Sequence, residues 1–263
     1  MFASLWRNRQ LIFQLSKRDV IGRYRGSLVG LAWSFFNPLF MLAVYTFVFS
    51  VVFKSRWGSA IEDSKIGFAV MMFCGLIVHG FLAECINKAP GVVLQNANYV
   101  KRVVFPLEVL PWVVILSASF HMAIGLSVLF AAQLVAGHGI PWTAVLVPIV
   151  LAPLALVAVG FAWLLSATSV FVRDIAQVTG IFTTALMFMA PVLYPISALP
   201  EQYREWLYLN PLTLIVEQVR LVLIDGEMPS WGALTLYTLV ALFVAWLGFW
   251  WFQRIRRGFA DVI

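Results

Sequence analysis

Between Arg25 and Lys54 the chain carries no charged side chain. A run of that length has no place on the surface of a water-soluble domain. As one helix, Leu28–Phe53 would reach about 39 Å at about 1.5 Å per residue, which exceeds the roughly 30 Å hydrocarbon core of a bilayer. The excess is taken up by tilt or by starting in the interface, and Pro38 permits a kink where neighbouring helices satisfy the freed carbonyl.

The rest of the chain fits that environment. It is 62% hydrophobic and 11% charged, with a mean hydropathy of +0.91, too few polar groups to cover a soluble globule of this size. Spanning strands alternate over stretches of about ten residues, whereas these apolar runs are unbroken. The expected class is therefore an all-α membrane protein with six spans, at Leu28–Phe53, Ile66–Ile86, Leu110–Ala136, Thr143–Ser169, Ile175–Ile196 and Trp231–Phe252. Residues 1–27 read as an interface helix, 28–196 as spans one to five, 197–230 as a hairpin that re-enters the membrane, and 231–263 as span six with its tail. No cleavable signal is expected, because basic residues continue to Arg25 and a full-length span follows.

The net charge of +6 raises the question of nucleic acid, but the basic residues gather at membrane ends, not on a soluble fold. With the N-terminus in the cytoplasm, Arg7, Arg9, Lys17, Arg18, Arg23, Arg25, Lys88, Lys101, Arg102, Arg173, Arg254, Arg256 and Arg257 fall inside. Lys54, Arg56, Lys65, Arg204 and Arg220 fall outside. This asymmetry places both termini in the cytoplasm and excludes a nucleic-acid partner as the reason for the charge.

Several segments are neither span nor ordinary loop. In the first 25 residues Leu5, Trp6, Ile12, Phe13, Leu15, Val20 and Tyr24 share one arc of a helical wheel and Arg7, Gln10, Gln14, Lys17, Arg18 and Arg25 the other, the pattern of a helix lying on the membrane. It serves either as a topological anchor or as a docking helix for a cytoplasmic partner. Residues 87–111 are too polar to span and too apolar for water, and Pro106 and Pro111 cap them before the third span, which suits a short cytoplasmic helix pressed against something else. Residues 197–230 read as two short helices divided at Asn210-Pro211. The second contains Glu217 and Arg220, which at helical spacing pair or face an exit. Aromatic side chains beside proline or threonine in spans one and five, Trp33, Phe36, Tyr45, Phe188 and Tyr194, are the candidate channel lining.

Enzyme chemistry finds no footing in this pattern. Glu84 reads as a helix-end carboxylate, and His79, His121 and His138 as isolated packed or interfacial side chains, so no metal site is expected. None of the 17 glycines precedes a lysine, which rules out the phosphate loop G-x-x-x-x-G-K-[ST]. If ATP drives transport, its hydrolysis belongs to another polypeptide.

The motifs Arg23-Tyr24-Arg25-Gly26-Ser27-Leu28-Val29-Gly30 with Trp33 and Asn37-Pro38-Leu39, Asn96-Ala97-Asn98-Tyr99-Val100-Lys101 with Phe105-Pro106-Leu107-Glu108-Val109-Leu110-Pro111, Val172-Arg173-Asp174-Ile175, and Asn210-Pro211-Leu212-Thr213 with Glu217, Arg220 and Gly226 occur in this order across nearly the whole chain. Together they resemble the permease subunits of ATP-binding-cassette exporters for bacterial polysaccharides. The resemblance implies an amphipathic interface helix, six transmembrane helices and two short periplasmic gate helices before the last span. It implies coupling to the ATPase through Asn98, Lys101, Arg102 and Arg18, and a gate formed by Asn210, Pro211, Glu217 and Arg220. The expected assembly is a homodimer in the bacterial inner membrane, joined by two cytoplasmic ATPase subunits that bind ATP and Mg, with no cofactor in this chain. The expected cargo is a polysaccharide on an undecaprenyl-type lipid: O-antigen first, capsule or teichoic acid next. Two alternatives stay open: an exporter of the same architecture for drugs or lipids, and an ion-coupled secondary transporter, which would place ionisable groups mid-span and carry internal repeats.

Overall fold

The computed structural model describes residues 2–48, 65–100, 105–135, 137 and 139–262. Every regular element among them is helical. In chain order these are α1 (Phe2–Arg7), α2 (Arg9–Tyr24), α3 (Trp33–Phe47), α4 (Lys65–Leu94), α5 (Ala97–Val100), α6 (Leu110–Val135), α7 (Val147–Thr168), α8 (Ile175–Phe188), α9 (Glu201–Leu207), α10 (Thr213–Arg220), α11 (Trp231–Ile255) and α12 (Phe259–Val262). Five helical stretches among the described residues are long and apolar enough to cross a membrane: Gly30–Phe47, Ala69–Leu94, Leu107–Val135, Trp142–Thr168 and Trp231–Gly258.

The third, fourth and last expected spans lie where hydrophobicity puts them. The other three differ, each for a local reason. The first helical stretch starts at a 3-10 turn over Gly30–Ala32, because Gly26 and Gly30 have φ of +88° and +57° and turn the chain out of α2 before it can rise. The expected far end of that span, and the loop after it, lie outside the described residues. The second span does not stop at Ile86. It continues through Pro90 to Leu94, with Ala89, Pro90 and Val93 buried and the Pro90 carbonyl accepting the Ser169 hydroxyl at 2.7 Å. Tertiary packing thus overrides the breaker, as proline in a membrane helix permits. The fifth is a correction of length: helix ends at Phe188, and Pro191 and Pro195 turn the remainder into irregular chain. Its 14 residues make about 21 Å of helix, short of the roughly 30 Å core.

One end of the bundle holds both chain termini. The Ser4 hydroxyl donates to Glu108 Oε1 at 3.3 Å, and Arg256 Nη1 lies 3.0 Å from Glu108 Oε2, so α1, the start of α6 and the end of α11 meet there. At the opposite end the hairpin of α9 and α10 meets the start of α4, the end of α6 and the start of α7. Gln133 donates to the Leu223 carbonyl (2.8 Å), Thr143 to that of Val222 (2.7 Å), and Arg220 to that of Met71 (3.0 Å).

α4 is the central rod, packed against α3, α6, α7, α8 and α10. Of its apolar stretch 67% is buried, against 11% for the first span and 22% for the last, so those two present most of their surface to lipid or to another protein. Trp163 of α7 is fully buried between Trp112 and Phe249 (centroids 5.5 and 5.0 Å away), and its indole N–H donates to the Glu108 carbonyl at 3.1 Å. α7 and α11 form the most extensive pair. They approach at Gly160 and Gly248, where a methyl on Gly160 would lie 2.8 Å from the Val244 carbonyl oxygen and one on Gly248 would overlap the Gly160 carbonyl. Small residues permit such backbone contact, which drives helix association where lipid supplies no hydrophobic gain.

Gly248→Ala is therefore expected to lower stability by about 1–3 kcal/mol, the usual penalty for overpacking. Gly232→Ala on the same helix, with nothing within 4 Å of the added methyl, leaves it unchanged. Thermal unfolding of the two variants in detergent measures the difference.

Candidate functional site

At the hairpin end the decisive group is Arg220. Its side chain is 7% exposed and donates to three main-chain carbonyls: Nε to Met71 at 3.0 Å, Nη1 to Pro191 at 2.6 Å and Nη2 to Val192 at 3.0 Å. Burial lowers its pKa to about 10, so it remains a cation at neutral pH. The guanidinium fork suits this task, since its fixed donors meet several acceptors at once. Pro191 and Val192 carbonyls are available because α8 has already ended. Gly75 makes the room: a Cβ there would stand 2.9 Å from Nη2 of Arg220 and 3.2 Å from the Val192 backbone.

Neighbouring residues extend the clamp. Asn210 is buried, donates to the Leu186 carbonyl at 2.9 Å and accepts the Leu212 N–H at 3.0 Å, while the Pro211 carbonyl accepts the Tyr237 hydroxyl at 2.8 Å. α10 continues as a π-helical turn, Leu221–Asp225, ended by Gly226 at φ +72°. α9 is different. Most of its residues are exposed, and the Arg204 side chain bonds its own loop, at the Leu199 and Ser197 carbonyls. Its ties to α10 are the Tyr208 hydroxyl to Glu217 (2.8 Å) and the Thr213 hydroxyl to the Leu207 carbonyl (2.6 Å). Burial raises the Glu217 carboxyl, an effect opposed by the Tyr208 hydroxyl and Arg220, and burial with the facing Glu217 raises Tyr208 to about 12. The hairpin is thus a fixed seat, α10, carrying an exposed flap, α9.

The candidate channel aromatics are distributed over different surfaces. Trp33 and Phe36 are half exposed on α3, Tyr45 lines a cavity between α3, α4 and α6, and at the other end the Tyr194 hydroxyl donates to the carbonyl of exposed Phe188 at 2.8 Å. Of the coupling candidates, Arg18 on α2 and Asn98 on α5 are exposed, and Lys101 and Arg102 lie outside the described residues.

The terminal end holds two carboxylate hubs that the one-dimensional pattern does not disclose. Glu84 of α4 receives Arg23 (2.6 Å), Lys88 (3.1 Å) and His121 (3.0 Å). Lys88 also reaches Asp19 at 3.0 Å, and the Tyr24 hydroxyl lies 3.3 Å from His121 Nε2. Glu84 and His121, read singly as a helix-end acid and an isolated ring, are one network that fastens the C-terminal turn of α2 to α4 and α6. Glu108 is the second hub, joining α1 to the end of α11. Arg23 and Glu84 are 61 positions apart and Ser4 and Glu108 are 104 apart, too distant for any spacing rule to pair them.

The sequence description "ABC-2 type transporter" matches residues 10–224. A protein of Myxococcus xanthus named O-antigen export system permease protein RfbA is 25% identical over 261 residues, covering 98% of this chain and 97% of its own. A protein of the same name from Klebsiella pneumoniae is 21% identical and covers 96% and 95%. The polysialic acid transport protein KpsM of Escherichia coli is 23% identical, with 89% of each chain covered.

Two outcomes follow from the geometry. Arg220→Met would strand three carbonyls at about 1–3 kcal/mol each, so Ile215→Cys, fully buried in the parent and unreactive to a hydrophilic maleimide without Cys74 and Cys85, becomes reactive when Arg220→Met is added. At the Glu84 hub, Arg23→Glu combined with Glu84→Arg should recover part of the stability lost by either alone. The coupling in a double-mutant cycle of thermal unfolding is expected at about 1 kcal/mol, because Arg23 is partly exposed.

Proposed function

We propose, from the premise that the chain belongs to the ABC-2 type transporter family, that it is the membrane channel subunit of an ATP-driven exporter of lipid-linked polysaccharide. O-antigen is the first choice of cargo, and the observation that carries it is full-length similarity to an O-antigen export permease, with 98% of this chain covered. Capsular polysaccharide is the second, favoured by the similarity to a polysialic acid transport protein over 89% of the chain. Because the chain has no phosphate loop, ATP and Mg are assigned to a separate cytoplasmic ATPase, two copies of which would serve a homodimer of this chain.

In this reading the chain crosses the bacterial inner membrane six times, with α8 and the irregular segment after it as the fifth crossing. The terminal end is cytoplasmic and the hairpin end periplasmic. The meeting of both termini at Glu108 supports an even number of crossings, and the charge asymmetry supports the orientation. α4 carries the mechanical connection. In sequence its lower end leads to α5 and the coupling candidates Asn98, Lys101 and Arg102. Glu84 ties it through Arg23 to α2, the helix that carries Arg18, and at its upper end the Met71 carbonyl accepts Arg220 in the room that Gly75 leaves. A displacement imposed by ATP binding at the lower end therefore reaches the hairpin through one helix. The seat, α10, transmits it, and the flap, α9, with Asn210-Pro211 as its hinge, opens for the polymer. The exposed faces of α3 and α8 supply the surface on which the second copy and the channel form.

The test is loss and recovery of surface polysaccharide. A host strain lacking this chain should retain the lipid-linked polymer inside and lose it from the surface. The parent chain restores it, whereas Lys101→Glu with Arg102→Glu inserts normally but does not. Unchanged surface polymer without the chain would overturn the cargo, and full export by the double reversal would remove the coupling role.

A further inference from the structure

α2 leaves part of its apolar side uncovered. Ile12 and Leu15 pack on Val109 and Val113 at the start of α6. Beside that contact a groove of about 550 Å³ is lined by Phe13, Val20 and Ile21 of α2, by Leu116 and Phe120 of α6 and by Leu31, with Lys17 among its residues. Phe13 is 63% exposed and Ile21 50%. The volume lies within the roughly 300–1,000 Å³ of small-molecule sites.

The groove's two hydroxyls are already used. Ser16 donates to the Ile12 carbonyl at 2.8 Å and to that of Val113 at 3.3 Å, and Ser119 donates to that of Ile115 at 2.8 Å. An occupant therefore finds an apolar slot and one ammonium group. Leu116 and Phe120 lie six and ten residues beyond the start of α6 at Leu110, roughly 9–15 Å along its axis. α2 accompanies α6 over that length, from Ile12 at Val109 to Tyr24 at His121, so once α6 is placed in the bilayer the slot at Leu116 and Phe120 faces hydrocarbon and not water.

Charge selects among the lipids. Residues 1–25 carry Arg7, Arg9, Lys17, Arg18, Arg23 and Arg25 against a single acid, Asp19. Asp19 is held by Lys88 and Arg23 by Glu84, while Arg9 donates to the Trp6 carbonyl and lies over the Trp6 ring. Lys17 has no carboxylate within ion-pair distance among the described residues. A basic segment flanking a bilayer attracts acidic headgroups.

We propose that this groove is a binding site for one anionic phospholipid, with an acyl chain between α2 and α6 and the phosphate on the Lys17 ammonium. The lipid fills the space that protein side chains leave and fixes the depth of α2 in its leaflet. The site depends on the membrane topology and not on the identity of the exported polymer.

The test uses the full chain in vesicles of equal phosphatidylglycerol and phosphatidylcholine, extracted in mild detergent, with retained lipid counted by native mass spectrometry. Phosphatidylglycerol should be retained about fivefold over phosphatidylcholine, the effect of one lysine near a phosphate. Lys17→Gln, an exposed change that leaves the fold intact, should bring the two to parity, and Ser119→Trp, which fills the slot, should release both. Equal retention of the two lipids by the parent chain, or a preference that Lys17→Gln leaves untouched, would mean annular lipid only and would overturn the site.

Discussion

The structure depends on how main-chain carbonyls are satisfied where α8 stops. In a bilayer a polar backbone group without a partner costs several kcal/mol, because no water is at hand to take it. Ending a helix after 14 residues therefore creates a debt within the protein, and Arg220 settles it with three donors from one side chain. That solution needs a fork-shaped cation, a glycine opposite it and a rigid support. α10 supplies the first, Gly75 the second and the buried length of α4 the third. Remove any one and the turn after α8, the seat of the hairpin and the upper end of α4 lose their common fastening.

The terminal end solves a different problem. An amphipathic helix on a membrane surface is held by the area it buries, which leaves its orientation loose. Here α1 and α2 are fixed at both ends by carboxylates of the bundle, Ser4 at Glu108 and Arg23 at Glu84. Single exposed ion pairs contribute little. Glu84, however, gathers an arginine, a lysine and a histidine on one mostly covered carboxylate, and such a network defines a position better than it adds stability. α2 is thereby set relative to α4, the same helix that holds Arg220, so the two ends of the molecule share one axis.

Hydropathy was a good guide where burial and length decide the outcome. The spans corresponding to α6, α7 and α11 are long apolar runs with clear stops, and their bounds in the structure agree to within a few residues. The division of the hairpin at Asn210-Pro211 was legible for the same reason, since proline after asparagine offers few alternatives. The second span was expected to stop at Ile86 because polarity after it is a local signal, while the Ser169 hydroxyl that donates to the Pro90 carbonyl lies 79 positions away. The end of the fifth span was missed because Leu193 and Ile196 keep the hydropathy high after the helix has stopped. Glu217 and Arg220 have the spacing of a pair, yet their placement follows from partners that spacing cannot show, Tyr208 for one and three carbonyls for the other. Glu84 and His121 looked like single residues and Glu108 like one member of a linear motif, and contacts across 37 to 148 positions join them to distant partners.

The shortness of α8 also acts on the lipid around it. In the six-span reading the helical part of the fifth crossing is about 21 Å in a core of about 30 Å, and to the extent that the irregular segment after it does not fill the difference, the bilayer adapts to such a mismatch by drawing its leaflets together at modest cost. Few of the side chains of α8 are covered by the rest of the chain, so this thinning falls on the surface that α8 offers to its surroundings. The dielectric barrier to a hydrophilic solute scales with the thickness of hydrocarbon it must cross. If α8 belongs to the fifth crossing proposed above, the barrier along it is lowered by deformation of the lipid, whatever side chains line the path.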